Sequence, residues 1–359
     1  MSVPSRMSVA GNLWKKARRL SVIPTRFPYI SFPEDSTLGY EREIATAHIS
    51  LSDAVSLNFP TKATRMCQMS PETIEQSLSS TVSRNYLVSM TVRGIIFDVD
   101  GTVVRGAEPL PGAMTGVTTV ADRGLQRLFV SNNPTKPPTA YEHRLEKAGF
   151  AVDATEVLTA GMVTKRYLIE YHNTDTIAVV GETGLVELLA ADGLSVADIQ
   201  TYDGGKRTSP DVLVASIDRS FNYDTLCLCL EILADDAVTF LGTDPDVVIP
   251  AAEGNVPGSG AVIDAIANVT GRDPVAILGK PSKIAREMAI DRLGLPPDDI
   301  LVVGDRLDTD IALGNEAGMQ TVLVETGVTD AADVSNSSID PNHIIPSLGE
   351  LESVLESLS

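Results

Sequence analysis

Two carboxylates one residue apart, Asp98 and Asp100, end the stretch G-I-I-F-D-V-D-G-T at residues 94–102. A carboxylate can act as a covalent nucleophile toward phosphorus. A second one, two residues on, can give and take a proton as general acid and base. A hard cation such as Mg²⁺ suits their oxygens and neutralises their charge. A plain acidic turn would carry the same letters, because Asp and Gly favour turns for local reasons. The rest of the chain supplies what phosphate chemistry needs. Ser131, Asn132 and Asn133 follow an apolar run in L-F-V-S-N-N, where a hydroxyl and backbone N–H groups could hold a phosphoryl oxygen. Lys280 in L-G-K-P adds a point charge, and V-V-G-D-R-L-D-T-D brings Asp305, Asp308 and Asp310. Phosphoryl transfer is mostly positioning and charge stabilisation, so a cation, a lysine and donors around the oxygens are its parts. Singly, each has a plainer reading. S-N-N-P is good turn chemistry, Lys280 could be a solvated lysine at a helix entry, and Asp308 and Asp310 could complement a helix N-terminus. For Asp308 the plainer reading is preferred. Jointly, four such groups in this order are hard to produce by chance.

These groups need strand ends to hold them. Ile95, Ile96 and Phe97 form an apolar run with no helical period, as a buried strand of a parallel sheet does. Ligands bind beyond the carboxyl ends of such strands. From Met90 onward, strand, loop and helix alternate, which predicts a doubly wound, Rossmann-like parallel sheet. A helix is expected from Pro111 to about Asp122, a strand at Leu128–Val130, and helices at Thr139–Ala148 and Gly161–Tyr171. Residues 167–272 then carry a set of their own. Strands are expected at Thr176–Val180, Asp211–Ile217 and Val238–Leu241, with helices at Gly184–Ala191, Asn222–Leu233 and Gly258–Val269. That is enough for an inserted α/β domain. The first pattern is expected to resume with strand Val275–Leu278, helix Lys283–Leu293, strand Ile300–Val303, helix Thr309–Ala317 and strand Thr321–Val324. The organisation predicted is a core of 90–166 plus 273–359, a cap of 167–272, and an extension of 1–89.

Composition narrows the function classes. The 359 residues carry a net charge of -20. Residues 1–89 hold 10 Lys and Arg against 7 Asp and Glu, while residues 90–359 hold 18 against 41. An acidic surface of that kind repels nucleic acid and anionic membrane, so neither is an expected partner. Of those 18 cations only 6 are Lys, and of the 41 acids 26 are Asp. This bias suits a halophilic cytoplasm, where molar salt screens charges within about 3 Å. No apolar run reaches the roughly 18 residues of a membrane span, and no apolar signal segment follows the basic Lys15–Arg19 stretch. A cytoplasmic protein is expected. Three cysteines, Cys67, Cys227 and Cys229, cannot frame disulfides or a four-ligand zinc site. Cys227 and Cys229, in L-C-L-C-L, read as the packed part of a helix. Residues 1–89 lack sustained periodicity and differ in charge sign from the remainder. They are expected to be a disordered extension, or a stretch upstream of a true start at Met90, and dispensable for activity.

The motifs F-D-V-D-G-T, V-S-N-N, G-K-P and V-G-D-R-L-D-T-D together resemble the haloacid-dehalogenase-like superfamily of phosphatases. L-P-G-A at 110–113, V-V-G-E-T-G-L at 179–185, P-G-S-G-A at 257–261, G-D-R-L-D-T-D-I at 304–311 and E-T-G-V at 325–328 resemble its NagD-like, p-nitrophenyl-phosphatase-like branch. The likeness spans about residues 92–330. It implies that Asp98 is the nucleophile, forming an aspartyl-phosphate, and that Asp100 is the general acid and base. It implies Mg²⁺ held by Asp98, the backbone carbonyl of Asp100, and Asp305, with Asp310 in support. Ser131, Asn132 and Lys280 would bind the phosphoryl oxygens, and 167–272 would be a type-two cap choosing the substrate. The substrate implied is a small phosphorylated metabolite: a sugar phosphate, nucleoside monophosphate, phosphoglycolate or aryl phosphate. Assembly of a homo-oligomer through the cap is compatible with the resemblance. At T-D-P-D, residues 243–246, the branch usually shows T-N-P-D, so Asp244 places a carboxylate where an amide is expected.

Other readings are weaker. A dehalogenase has no need of Asp100. A P-type ATPase would carry Thr at that position, and membrane spans. A phosphomutase would use the same acids, and substrate assays would separate it. A non-catalytic sugar-phosphate-binding protein would be favoured by loss of Asp98, Asp100, Lys280 or Asp305, and all four are present.

Overall fold

The computed structural model describes residues 91–201, 210–251, 254–329 and 331–359. The expectations for residues 1–89, and for Cys67, therefore lie outside the described residues.

The first strand, β1 (Gly94–Asp98), is buried at every position. Total burial requires cover on both faces, and the alternation of side chains divides that cover. Ile95 and Phe97 point into one apolar cluster and Ile96 into another. A short hairpin of β2 (Val104–Arg105) and β3 (Glu108–Pro109) follows, then α1 (Ala113–Asp122), β4 (Gln126–Ser131) and α2 (Pro138–Lys147). Next come β5 (Val157–Thr159) and α3 (Ala160–Tyr171). Thr159 starts α3 by accepting a hydrogen bond from the Met162 N–H, as an N-cap threonine should.

A second α/β unit begins with β6 (Thr176–Val180), α4 (Thr183–Ala190), β7 (Ser195–Asp198) and β8 (Val212–Ala215). It continues through α5 (Tyr223–Ile232), β9 (Thr239–Gly242), the hairpin β10 (Val248–Ala251) and β11 (Gly254–Pro257), α6 (Ser259–Thr270) and β12 (Ala276–Ile277). Asn222 caps α5, and Cys229 is buried within it while Cys227 is exposed. The chain returns through α7 (Lys283–Leu293), β13 (Ile300–Gly304), α8 (Ala312–Ala317) and β14 (Gln320–Val324). It finishes with α9 (Ala331–Asn336), β15 (His343–Ile345) and α10 (Leu351–Ser357).

Among the described residues two parallel sheets result. The first has the order β15-β14-β13-β1-β4-β5 and the second β12-β9-β8-β6-β7. This is a Rossmann-like core with a cap. One strand falls elsewhere than the sequence suggests. The run at Val275–Leu278, expected to re-enter the first sheet, pairs with β9 as the edge of the second. An apolar run shows burial, not which of two sheets buries it.

The cluster on one face of the first sheet is closed by α1, α2 and α10. The cluster on its other face does not stop at that sheet. It takes in Ile96, Leu128 and Val302, then Val163 and Leu168 of α3, and continues to Val179, Val214 and Leu241 of the second sheet. No helix among the described residues is long and apolar enough to cross a membrane.

Candidate active site

In the order β13-β1-β4 three neighbouring parallel strands end at one edge, with Asp98 opposite Val130 and Phe97 opposite Val303. Asp98, Ser131 and Asp305 are brought together by that register alone. Lys280 arrives from the other sheet, four residues after β12 begins. Its Nζ donates to Asp98 Oδ1 at 2.6 Å, to Asp310 Oδ1 at 2.6 Å and to the Val130 carbonyl at 3.1 Å. Carboxylate oxygens of Asp98, Asp305 and Asp310 lie within 4.8 Å of one another, all buried.

Asp310 is held by its surroundings. Its Oδ2 accepts from the Asp305 and Arg306 N–H groups at 3.2 and 3.1 Å. It thereby closes the wide π-type turn Leu307–Ile311 that precedes α8. Asp305 Oδ2 accepts from the Val328 N–H at 2.8 Å. A Cβ at either Gly101 or Gly327 would overlap the Asp305 carboxylate, and Gly101 has φ 105, outside the range most side chains tolerate.

Two oxygens in this buried cluster, Asp98 Oδ2 and Asp305 Oδ1, have no hydrogen-bond partner among the described residues. Buried polar atoms are almost always satisfied, so an orphan pair marks a place for something else. Burial raises the Asp98 carboxyl well above its usual range, and Asp310 and Asp305 reinforce this against the opposing Lys280. Burial, reinforced by Asp310, pushes Asp305 up to about 7. Burial alone would lower the Lys280 ammonium, but the adjacent Asp310 and Asp98 outweigh it and hold it raised. When all three carboxylates are ionised, the single ammonium of Lys280 balances only one of their charges, and a cation among them would favour that ionised state. Hard oxygen donors with that charge deficit fit a divalent cation of the Mg²⁺ type.

The remaining sequence-derived residues are placed unequally. Ser131 is buried, its Oγ 2.8 Å from the Tyr141 hydroxyl and accepting from the Asn133 N–H at 3.2 Å. The Asn132 side chain is spent on the Lys280 backbone, accepting from its N–H at 2.7 Å and donating to its carbonyl at 3.3 Å. The side chain therefore positions Lys280, whereas the donors expected from V-S-N-N are the Ser131 hydroxyl and backbone N–H groups. Asp100 stands outside the buried cluster, with its side chain 46% exposed and ion-paired to Arg144. Asp308 is exposed in the turn before α8 and is paired with Arg306.

The second sheet reaches the same place. A cavity of about 480 Å³ is lined by Asp98, Ser131 and Lys280 on one side and by Ile217, Asp244 and Ser259 of the inserted segment on the other. Asp244 is buried in the loop after β9. It accepts from Thr243 Oγ1 at 3.0 Å and from the Asp246 N–H at 3.3 Å. Burial, with Asp246 alongside, pushes its carboxyl up to about 7. Arg306 approaches Asp246 at 3.8 Å, bridging the loop after β13 and the inserted segment. Sequence reading missed Tyr141, Arg144, Asp246 and Arg306. The i, i+3 spacing of Tyr141 and Arg144 puts both on one helix face but does not show what that face meets.

Residues 95–195 match the model of haloacid dehalogenase-like hydrolases, and residues 277–351 match a second HAD-hydrolase-like model. The 5'-nucleotidase YutF of Bacillus subtilis is 35% identical, over 72% of this chain and 97% of its own length. Among solved structures, a p-nitrophenyl phosphatase from Archaeoglobus fulgidus is 31% identical with a TM-score of 0.66, covering 74% of this chain and 99% of that one. NagD from E. coli K-12 is 28% identical with a TM-score of 0.63, covering 72% and 98%.

Proposed function

Because this chain is a phosphatase of the haloacid dehalogenase-like family, in its NagD-like branch, we propose that it hydrolyses small phosphate monoesters with Mg²⁺ through an aspartyl-phosphate on Asp98. The observation that carries this reading is the buried Asp98 at the end of β1, one oxygen held by Lys280 and the other without a partner.

In the first step an Asp98 oxygen bonds to phosphorus while the ester P–O bond breaks. The departing oxygen takes a proton from the Asp100 carboxyl group. In the second step Asp100, now a carboxylate, accepts a proton from water. The water oxygen bonds to phosphorus, the Asp98–phosphate bond breaks, and phosphate leaves with Asp98 restored. Ser131 and Lys280 hold the phosphoryl oxygens through both steps, and Asn132 fixes the Lys280 backbone. Mg²⁺ would be held by Asp98, Asp305 and the Asp100 carbonyl, with Asp310 in support, and would supply charge stabilisation on the transferring group. The inserted segment acts as the cap that excludes water and selects the alcohol portion of the ester. Sugar phosphates, nucleoside monophosphates, phosphoglycolate and aryl phosphates are all within this reading, in a cytoplasmic setting of high salt.

A panel of phosphate esters, assayed with Mg²⁺ and with a chelator, at low and molar KCl, tests the class and the cation together. Asp98→Asn is expected to abolish turnover without unfolding the protein, and Asp100→Asn to cost on the order of 10²–10⁴ in rate. Near-normal turnover of p-nitrophenyl phosphate by Asp98→Asn would remove Asp98 from the nucleophile's role.

A further inference from the structure

In the reaction proposed above, Asp100 must meet the leaving oxygen, yet it stands outside the buried cluster of Asp98, Asp305 and Asp310. Its aim cannot come from burial. It comes from a guanidinium fork: Arg144 Nη1 donates to Asp100 Oδ2 at 3.1 Å while Nη2 donates to Oδ1. A planar fork on a carboxylate fixes orientation as well as distance, which a single hydrogen bond does not.

Arg144 is itself held on two further sides. Its Nε donates to the Gly106 carbonyl at 2.6 Å, in the turn joining β2 and β3. Its guanidinium lies 5.8 Å from the centre of the Tyr141 ring, one turn earlier on α2. Tyr141 is buried, and its hydroxyl reaches Ser131 Oγ at 2.8 Å. One face of α2 thus holds both the serine at the end of β4 and the acid after β1.

We propose that Arg144 is a positioning residue that fixes Asp100 at the leaving-group oxygen and ties it to the β2–β3 hairpin. The inference rests on the reading of Asp100 as general acid and base. Arg144 itself gains and loses no proton. The proton travels from the Asp100 carboxyl to the departing oxygen as the P–O bond breaks, and an Asp100 oxygen remains an acceptor for the fork in either state.

The test uses leaving groups that differ in their need for that proton. p-Nitrophenolate departs readily without one, whereas the alkoxide of glycerol 3-phosphate does not. Wild type, Asp100→Asn, Arg144→Met and Arg144→Lys are compared by kcat/KM on both esters in Mg²⁺, with thermal melts to establish folding. Arg144→Met is expected to lower kcat/KM about 10²-fold on the alkyl ester and less than about 5-fold on the aryl ester, as loss of an aligned acid would. Arg144→Lys, with one point of contact instead of a fork, is expected to fall between wild type and Arg144→Met on the alkyl ester. Equal losses on both esters in a folded Arg144 variant would overturn the proposal, because substrate binding or general structure would explain them. Unchanged alkyl turnover in either variant would overturn it too. If Asp100→Asn itself lacks the alkyl-selective loss, the error lies instead in the reading of Asp100.

Discussion

A carboxylate as deeply buried as Asp244 must bind a proton, meet a cation or pay in stability. Its neighbours include the hydroxyls of Thr243 and Ser259 and a second carboxylate, Asp246, and burial with that carboxylate outweighs the hydroxyls and pushes its carboxyl up to about 7 from an ordinary 3.8. Below about pH 4 it is protonated both folded and unfolded and has no effect on stability. As pH rises from 4 toward 7 the unfolded chain loses the proton first, so the folded state is progressively penalised, and the penalty is complete above 7. Asp244→Asn, the amide expected from the T-N-P-D wording, should remove it. The expected gain is on the order of 2–4 kcal/mol at pH 8, shrinking to nothing near pH 4. Melting temperatures of the two proteins across that range check the prediction. A gain independent of pH would mean that packing and not charge governs the site.

The elements around the cluster were legible to different depths. β1, β4 and β13 declare themselves as apolar runs, and their parallel register delivers Asp98, Ser131 and Asp305 to one edge with no further information. The helices α4 to α7 fall within a residue or two of their expected limits, because Asn222 and Ser282 cap two of them and Gly271 and Gly294 end two. The three-residue strands β5 and β15 are too short to show a period, and the hairpin β10–β11 has mixed polarity. The Arg144–Asp100 pair spans 44 residues, and such pairing belongs to tertiary structure and not to any local pattern. The loop after β14 follows the same logic, since Gly327 is needed for a neighbour 22 positions away in sequence. Gly327→Ala puts a Cβ into the Asp305 carboxylate. Its expected cost is about 1–3 kcal/mol of stability, as for other overpacked sites, together with weakened Mg²⁺ binding. Calorimetric titration with Mg²⁺ alongside a thermal melt reads both, and unaltered Mg²⁺ affinity would contradict the fit described for the cluster.

Across the whole molecule, charge is distributed against its average. Residues 90–359 carry 18 Lys and Arg against 41 acids, yet in the active-site cavity Arg105, Lys136, Arg144, Arg219, Lys280 and Arg306 outnumber Asp98, Asp100, Asp244 and Asp246. A local excess of cations in an otherwise acidic protein favours the entry of small anions there. The apolar interior shows a different kind of unity. The cluster that begins at Ile96 runs through α3 and α7 to Val179, Val214 and Leu241, so the core and the cap are built on one shared interior. Heat should therefore melt both together. A scanning calorimeter is expected to record a single endotherm for this region, with the calorimetric enthalpy equal to the van't Hoff enthalpy. Two resolved endotherms would mean that the cap can come apart on its own while the catalytic sheet stays folded.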